Sequence, residues 1–249
     1  MKMNLQHSRA PWLIRPGFVL LVLLASRAGT AVAQYYEDEP RPYSPSIARY
    51  ISAGFYSREF SPRTGNDAPD SLKINYTRIM PLVGFRQGPV EILLGYTNYH
   101  LAAASCAAVF FGATFVSEVT LTGGKEAALV LPVVISADFT KSESAGSDRD
   151  HFNVGSLGVG TGLKFRLAQP GFEFSVQAAG IVHYSFEGFN AQSGSSSALT
   201  GDAVVLLRSV PILDGLVAGY RFRLQSWSMT GGKFEYRTVN HGVYLGVMF

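Results

Sequence analysis

Eleven charged side chains recur at alternate positions within otherwise apolar runs: Arg78, Arg86, Glu91, Glu118, Lys164, Arg166, Glu173, Asp202, Arg208, Arg221 and Arg223. Alternate residues of an extended chain share one face, so these charges gather on one side of a sheet. A charge taken out of water needs a partner, or its desolvation goes uncompensated. The chemistry expected of this set is therefore mutual ion pairing. Arg166 falls opposite Glu173 across the turn Ala168–Gly171, and Arg86 lies near Glu91 across Gln87–Pro89. Seven of the eleven are basic and four acidic, so a continuous path lined by them would favour anions.

Other residues capable of chemistry are sparse. His100, Asp148, Asp150 and His151 fall at loop ends, and His183 falls on a polar strand face. None sits in a diagnostic motif, and no GxSxG, HExxH, CxxC or P-loop pattern has a meaningful context. Gly158–Gly162 reads GVGTG, but it lies inside an alternating strand, whereas phosphate binding needs a strand-to-helix turn. No His/Cys/Asp spacing suggests a metal site. Cys106 is the single cysteine, so no intrachain disulfide can form; it is read as a small, unreactive loop residue. The expectation is a protein without catalytic residues, cofactor or metal.

The elements that must hold the charges are strands. Ten runs have strand character: Ala48–Tyr56, Leu72–Phe85, Val90–Thr97, Ala108–Leu121, Ala127–Phe139, Phe152–Leu167, Phe172–Phe186, Leu199–Ser209, Leu216–Gln225 and Glu235–Phe249. Short turns at Gln87–Pro89, Thr122–Lys125, Ala168–Gly171 and Val210–Gly215 alternate with longer connections. The longer ones are Ser57–Ser71, Asn98–Ala107, Thr140–His151, Glu187–Ala198 and Ser226–Phe234. An up-and-down membrane barrel alternates in this way. The seventh run shows the faces most clearly. Phe172, Phe174, Val176, Ala178, Gly180, Val182, Tyr184 and Phe186 share one face; Glu173, Ser175, Gln177, His183 and Ser185 share the other. Aromatics near strand ends and a polar face mixing glycines with large charged groups favour an apolar exterior over a soluble barrel's apolar interior.

The stretch His241–Phe249, HGVYLGVMF, puts Val243, Leu245, Val247 and Phe249 on one face. On these residues the chain resembles the bacterial outer-membrane β-barrel family, in particular small OmpA/OmpX-type barrels. In that family, alternating apolar residues ending in Phe form a strand read by the barrel-assembly machinery. The resemblance implies a single all-β domain, an antiparallel up-and-down transmembrane barrel of about ten strands, with eight as the alternative if Ala48–Tyr56 is not a strand. It also implies a lumen plugged by interlocked charges, and contact with outer-membrane lipid and lipopolysaccharide. Outer-membrane proteases and lipid-modifying enzymes carry acids, serines and histidines at the barrel rim, which makes a rim hydrolase an alternative function.

Residues 1–33 read as a signal peptide. Lys2, Arg9 and Arg15 precede a short apolar run at Phe18–Ala25, followed by the small-x-small pattern Ala31-Val-Ala33. Removing them takes four of the 21 basic residues and none of the 18 acidic ones, so the formal charge moves from +3 to −1. The basic balance thus belongs to the leader and argues no nucleic-acid partner. Residues 34–46, acidic and rich in Pro and Tyr, read as a periplasmic linker, and 47–249 as the barrel. The expected role is structural or surface-interacting in the outer membrane, with the long loops open to an extracellular ligand. A narrow anion-favouring channel is the leading alternative.

Overall fold

The computed structural model describes residues 48–63, 73–101, 104–143, 151–187, 193–210, 213–230 and 235–249. The expected signal peptide and linker, and with them Asp148 and Asp150, lie outside the described residues. Ten strands follow one another: β1 Arg49–Pro62, β2 Tyr76–Gln87, β3 Val90–Leu101, β4 Ala104–Gly123, β5 Ala127–Ser142, β6 Phe152–Gln169, β7 Phe172–Glu187, β8 Ser193–Val210, β9 Leu213–Met229 and β10 Tyr236–Met248. Each pairs antiparallel with its sequence neighbours, and β1 pairs with β10, closing the ring.

The count is ten, not eight, because Ala48–Tyr56 belongs to β1, the strand that closes the barrel. Three of the four short turns occur where expected; in the fourth, Val210–Gly215, strand β9 already begins at Leu213. Gly88, Gly123 and Gly171 sit at the first three with φ of 57°, 113° and 78°; a tight hairpin needs such positive φ, and glycine adopts it without strain. At the opposite end the strands run further than the sequence suggests. β1 continues through Pro62 and β3 through Leu101, while β4 already begins at Ala104. Much of the expected loops Ser57–Ser71 and Asn98–Ala107 is therefore strand. Their polar residues look like loop in one dimension, but the ladder beside them continues.

Register fixes the geometry. Starting from Arg49 and stepping from partner to partner, the path crosses Gln87, Val90, Phe115, Ile135, Val159, Val182, Ser197, Ser226 and Arg237. It returns to β1 at Ser61, 12 positions along from its start. Ten strands with that stagger tilt by about 40° and form a backbone cylinder of roughly 10 Å radius, from the standard strand spacing and rise.

The two faces are sorted as the alternation requires. Val243, Leu245, Val247 and Phe249 of the terminal stretch are exposed, as are Ile51, Phe55, Val159, Leu163, Val176 and Val182. Tyr244 and Met248 point inward and are buried. Exposed aromatics lie near both strand ends, Phe85 and Phe249 at the turn end and Tyr184 and Phe186 at the loop end. Above the apolar belt the outward residues turn polar: on β1, Ser57, Glu59 and Ser61 follow Ile51, Ala53 and Phe55. A soluble domain would not leave so continuous an apolar surface facing water; a bilayer covers it.

This sorting predicts unequal costs for adjacent charge insertions. Val176→Arg places a guanidinium on the apolar belt and should cost about 2–4 kcal/mol. Gln177→Arg, one residue on and facing Asp202 across the β7–β8 ladder, should cost much less. Urea unfolding in lipid vesicles measures both, and equal costs would contradict an apolar exterior.

Candidate functional site

The interior is stratified. At the turn end, Glu173 of β7 receives two arginines. Arg166 on β6 grips it with Nε at 2.9 Å and Nη2 at 3.0 Å, and Arg208 on β8 adds a contact at 3.0 Å. Arg166 and Glu173 do pair, but not from opposite positions as expected: the tighter turn sets Arg166 opposite Ser175 and Glu173 opposite Ala168, so the arginine reaches along the diagonal, and Arg208 joins as a third member. A small apolar cluster of Tyr50, Val204, Leu206, Val217, Tyr244 and Met248 packs at the same end.

Two further ion-pair groups follow at mid-barrel. Arg221 on β9 crosses the lumen to Glu91 on β3 at 2.8 Å and reaches Asp202 on β8 at 3.3 Å. Tyr244 donates to Asp202 at 3.3 Å and lies under the Arg221 guanidinium, 5.0 Å from its ring centre. Its ring occupies the space that a side chain at Gly219 would fill: a Cβ there would collide with the ring and its hydroxyl. Glycine is thus needed on the facing strand for Tyr244 to lie flat along the wall. Lys164 pairs with Glu118 at 2.6 Å, bridging β6 and β4 over β5. Arg86 stands opposite Glu91 in the β2–β3 ladder and donates to the Gly88 carbonyl at 3.3 Å.

Asp138, Arg223 and His183 form a fourth group. Asp138 on β5 meets Arg223 at 2.5 Å and His183 Nε2 at 3.2 Å, and His183 Nε2 also lies 3.0 Å from the Ser136 hydroxyl. Arg223 also donates to Gln225 at 3.1 Å. Ser136, His183 and Asp138 look at first like a nucleophilic triad, but the geometry is wrong. In a triad the acid and the nucleophile use different imidazole nitrogens. Here both approach Nε2, and Nδ1 has no partner among the described residues.

The loop end departs from the expected polar lumen. Phe60, Tyr76, Tyr99, Phe152, Trp227 and Tyr236 pack there into one buried cluster. Phe60 stacks on Tyr236 at 4.9 Å and meets Phe152 edge-on at 5.1 Å, and Tyr76 stacks on Tyr99 at 4.0 Å. A hydroxyl chain ties its edge to the wall: Trp227 donates to Ser156, which bonds Ser185, which bonds Ser196. Glu143, just past β5, accepts from the Ala107 amide at 2.8 Å. That bond, aided by Lys141, holds its carboxyl below the usual carboxylate range.

Of the eleven charged residues expected in the lumen, ten lie in or beside these groups. Arg78 does not: it is exposed, although the alternation of β2 directs it inward. His100 is exposed on β3 and His151 half-buried before β6; neither adjoins these ion-pair groups. Cys106 is not in a loop but on β4, buried and facing inward. Asp138 and Arg58 are interior charges absent from the expected set. Asp138 sits on the same face as Val134 and Ser136, a signal hidden by its apolar neighbours. Arg58 falls in a stretch that reads as loop. Among the described residues no group of three His, Cys, Asp or Glu side chains could hold a metal ion.

No protein-family model matches the chain, and no curated protein does. Among solved structures, the β domain of the Bordetella autotransporter Brka is 9% identical over 81% of this chain and 100% of that chain, with a TM-score of 0.34. The translocator domain of the autotransporter NalP from Neisseria meningitidis is 12% identical over 94% and 98%, with a TM-score of 0.31. The attachment invasion locus protein Ail of Yersinia pestis is 9% identical over 81% and 98%, with a TM-score of 0.20. Likenesses this distant carry no weight on function. The closed ten-stranded ring, its apolar belt and its charged interior define an integral β-barrel of the bacterial outer membrane.

The triple contact at Glu173 yields a prediction. Glu173→Ala strands two arginines, one of them buried, and should cost about 3–5 kcal/mol. Arg166→Ala/Glu173→Ala removes the buried cation as well and should cost less than the single change, because Arg208 is partly exposed. Urea midpoints of the folded band on cold gels measure both, and additive effects would show that the two side chains do not act as a pair.

Proposed function

We propose that this barrel works as a structural or surface-interaction protein whose lumen is closed by its own side chains. The filled interior carries the reading. A cavity between Ser52, Tyr56, Gly84, Leu93, Arg221 and Tyr244 measures about 10 Å³. That is room for about one water. Above it the aromatic cluster blocks the loop end, and below it Arg166, Glu173 and Arg208 cluster on the β6–β8 wall at the turn end. Such packing resembles the OmpA/OmpX-type barrels more than a wide pore, although two more strands enclose it. The reading assigns no catalytic step and no cofactor. Its partners are outer-membrane lipid and lipopolysaccharide on the belt, the assembly machinery at Val243, Leu245, Val247 and Phe249, and an extracellular ligand at the loop end.

One observation favours a second reading, a narrow anion-favouring path: basic side chains outnumber acids in the interior, and the terminal nitrogens of Arg58 have no partner among the described residues. Planar-bilayer recording separates the two. The purified barrel is expected to show no sustained conductance. A stable open level with anion preference would overturn the plugged reading in favour of the channel.

Assembly gives a further test. Deleting Val247–Phe249 removes the pairing of Val247 with Ile51 and of Met248 with Tyr50, and the bond from the Phe249 amide to the Arg49 carbonyl. The truncated chain should lose the heat-modifiable folded band; normal insertion would remove the terminal strand from the assembly role proposed for it.

A further inference from the structure

One seam of the barrel wall is incomplete. β2 and β3 pair only from Leu82↔Gly95 to Gln87↔Val90. Beyond Leu82, among the described residues, no ladder pairing joins Tyr76–Pro81 to Tyr96–Leu101, although Tyr76–Pro81 pair with β1 on one side and Tyr96–Leu101 with β4 on the other. Pro81 stands where the ladder fails and has no amide hydrogen to give. A side chain stands in for the backbone: the Thr97 hydroxyl donates to the Ile79 carbonyl at 2.9 Å. Exposure agrees with an open wall. Thr77, Arg78 and Ile79 are all exposed in a row, breaking the alternation of β2. Unpaired strand edges are costly where acyl chains cover them; the seam starts there, with Met80 and Pro81 beside Tyr56 and Phe55, and runs up past the level of Arg58.

Behind the seam lies an arginine with no acidic partner among the described residues. Arg58 on β1 is fully buried, and its two terminal nitrogens have no hydrogen-bond partner there. Its Nε donates to the Tyr76 hydroxyl at 3.1 Å. Tyr76 stacks on Tyr99 at 4.0 Å, so this ring pair spans β2 and β3 on the inner side of the seam. The Arg58 guanidinium lies 5.6 Å from the Phe60 ring centre and 5.9 Å from that of Phe110. Aromatic faces soften the burial of a cation but do not supply acceptors for its N–H groups. An acidic group would.

Height identifies the acid. Arg58 pairs with Asn240, at the point where the outward residues of β1 change from apolar to polar. Phe55 and Val243 lie below this level, and Ser57, Glu59 and His241 flank it. In a bilayer that is the depth of the headgroups, with acyl chains below. We propose that Arg58 binds the acidic headgroup of a lipid, a phosphate or carboxylate on acyl chains, which enters sideways between β2 and β3 from the leaflet at the loop end. Ile79 and Tyr96, both exposed on the outer surface beside the seam, would flank its chain. The proposal rests on the outer-membrane location and not on the plugged lumen.

The test counts adducts by native mass spectrometry of the full chain released from nonionic detergent, with dodecyl phosphate as probe. One bound dodecyl phosphate is expected per barrel, retained in Arg58→Lys and reduced at least tenfold in Arg58→Met. Folding of each variant is read from its heat-modifiable band. A second variant leaves Arg58 in place: in a Cys106→Ser background, Ile79→Cys and Asn98→Cys fall opposite each other when the β2–β3 register is extended. Their disulfide should close the seam and abolish the adduct, and reduction should restore it. The proposal fails if no adduct forms, or if the adduct survives either Arg58→Met or the closed seam. It also fails if dodecanol or inorganic phosphate binds as well as dodecyl phosphate, since the site would then read only a chain or only a free anion.

Discussion

Closure of the ladder is the constraint on which the rest depends. In hydrocarbon no water can take up an unpaired amide or carbonyl, so a spanning sheet must have no free edge. β1 and β10 meet that demand with thirteen consecutive partners, from Tyr50↔Met248 to Pro62↔Tyr236. Once ten strands close with a stagger of 12, radius and tilt follow, and the interior can be only slightly wider than side chains can span. That width explains why Arg221 reaches Glu91 from the opposite wall and why Lys164 reaches Glu118 over an intervening strand.

Inside such a cylinder, polarity is arranged by depth. Ion pairs occupy the middle and the turn end, where neighbouring strands bring opposite charges within bonding distance. Aromatics occupy the loop end, where the outward residues are already polar and the barrel projects beyond the belt. The loop-end part of the barrel therefore has the ordering of a soluble domain, apolar within and polar without. The part in the belt has the reverse ordering. One set of strands serves both because the change falls along their length, near Arg58 on β1.

Against this closed background the β2–β3 seam is the exception. It sits where the two regimes meet, beside an arginine that the ion-pair groups leave uncompensated. Elsewhere the wall shows how irregularity is absorbed. The β4–β5 ladder shifts register between Thr120 and Thr122, and Pro132 interrupts the β5–β6 ladder while its carbonyl accepts from the Thr161 hydroxyl at 2.9 Å. Those are local repairs within continuing pairs, whereas β2 and β3 remain apart to the end of both strands.

Much of this is legible in the sequence, because period-two alternation is a local property and needs no knowledge of neighbours. The strand number, the outward set Val243, Leu245, Val247 and Phe249, and the inward set around Glu173 and His183 follow from residue order alone. The Arg166–Glu173 contact is only half legible: both residues fall on the inward face, but the turn sets Arg166 opposite Ser175 and Glu173 opposite Ala168, so the pair forms diagonally. What spans the lumen is not legible. Arg221 with Glu91 and Arg223 with Asp138 are far apart in sequence and meet only because closure fixes which strands face each other. Strand extent at the loop end is also hidden, because Ser57, Glu59 and Asn98 are polar like loop residues yet lie on strands that project beyond the belt. Arg58 shows the difference most sharply. In sequence it is one more polar residue after an alternating run; only the tertiary structure buries it among aromatic rings, away from the acids that answer the other interior arginines.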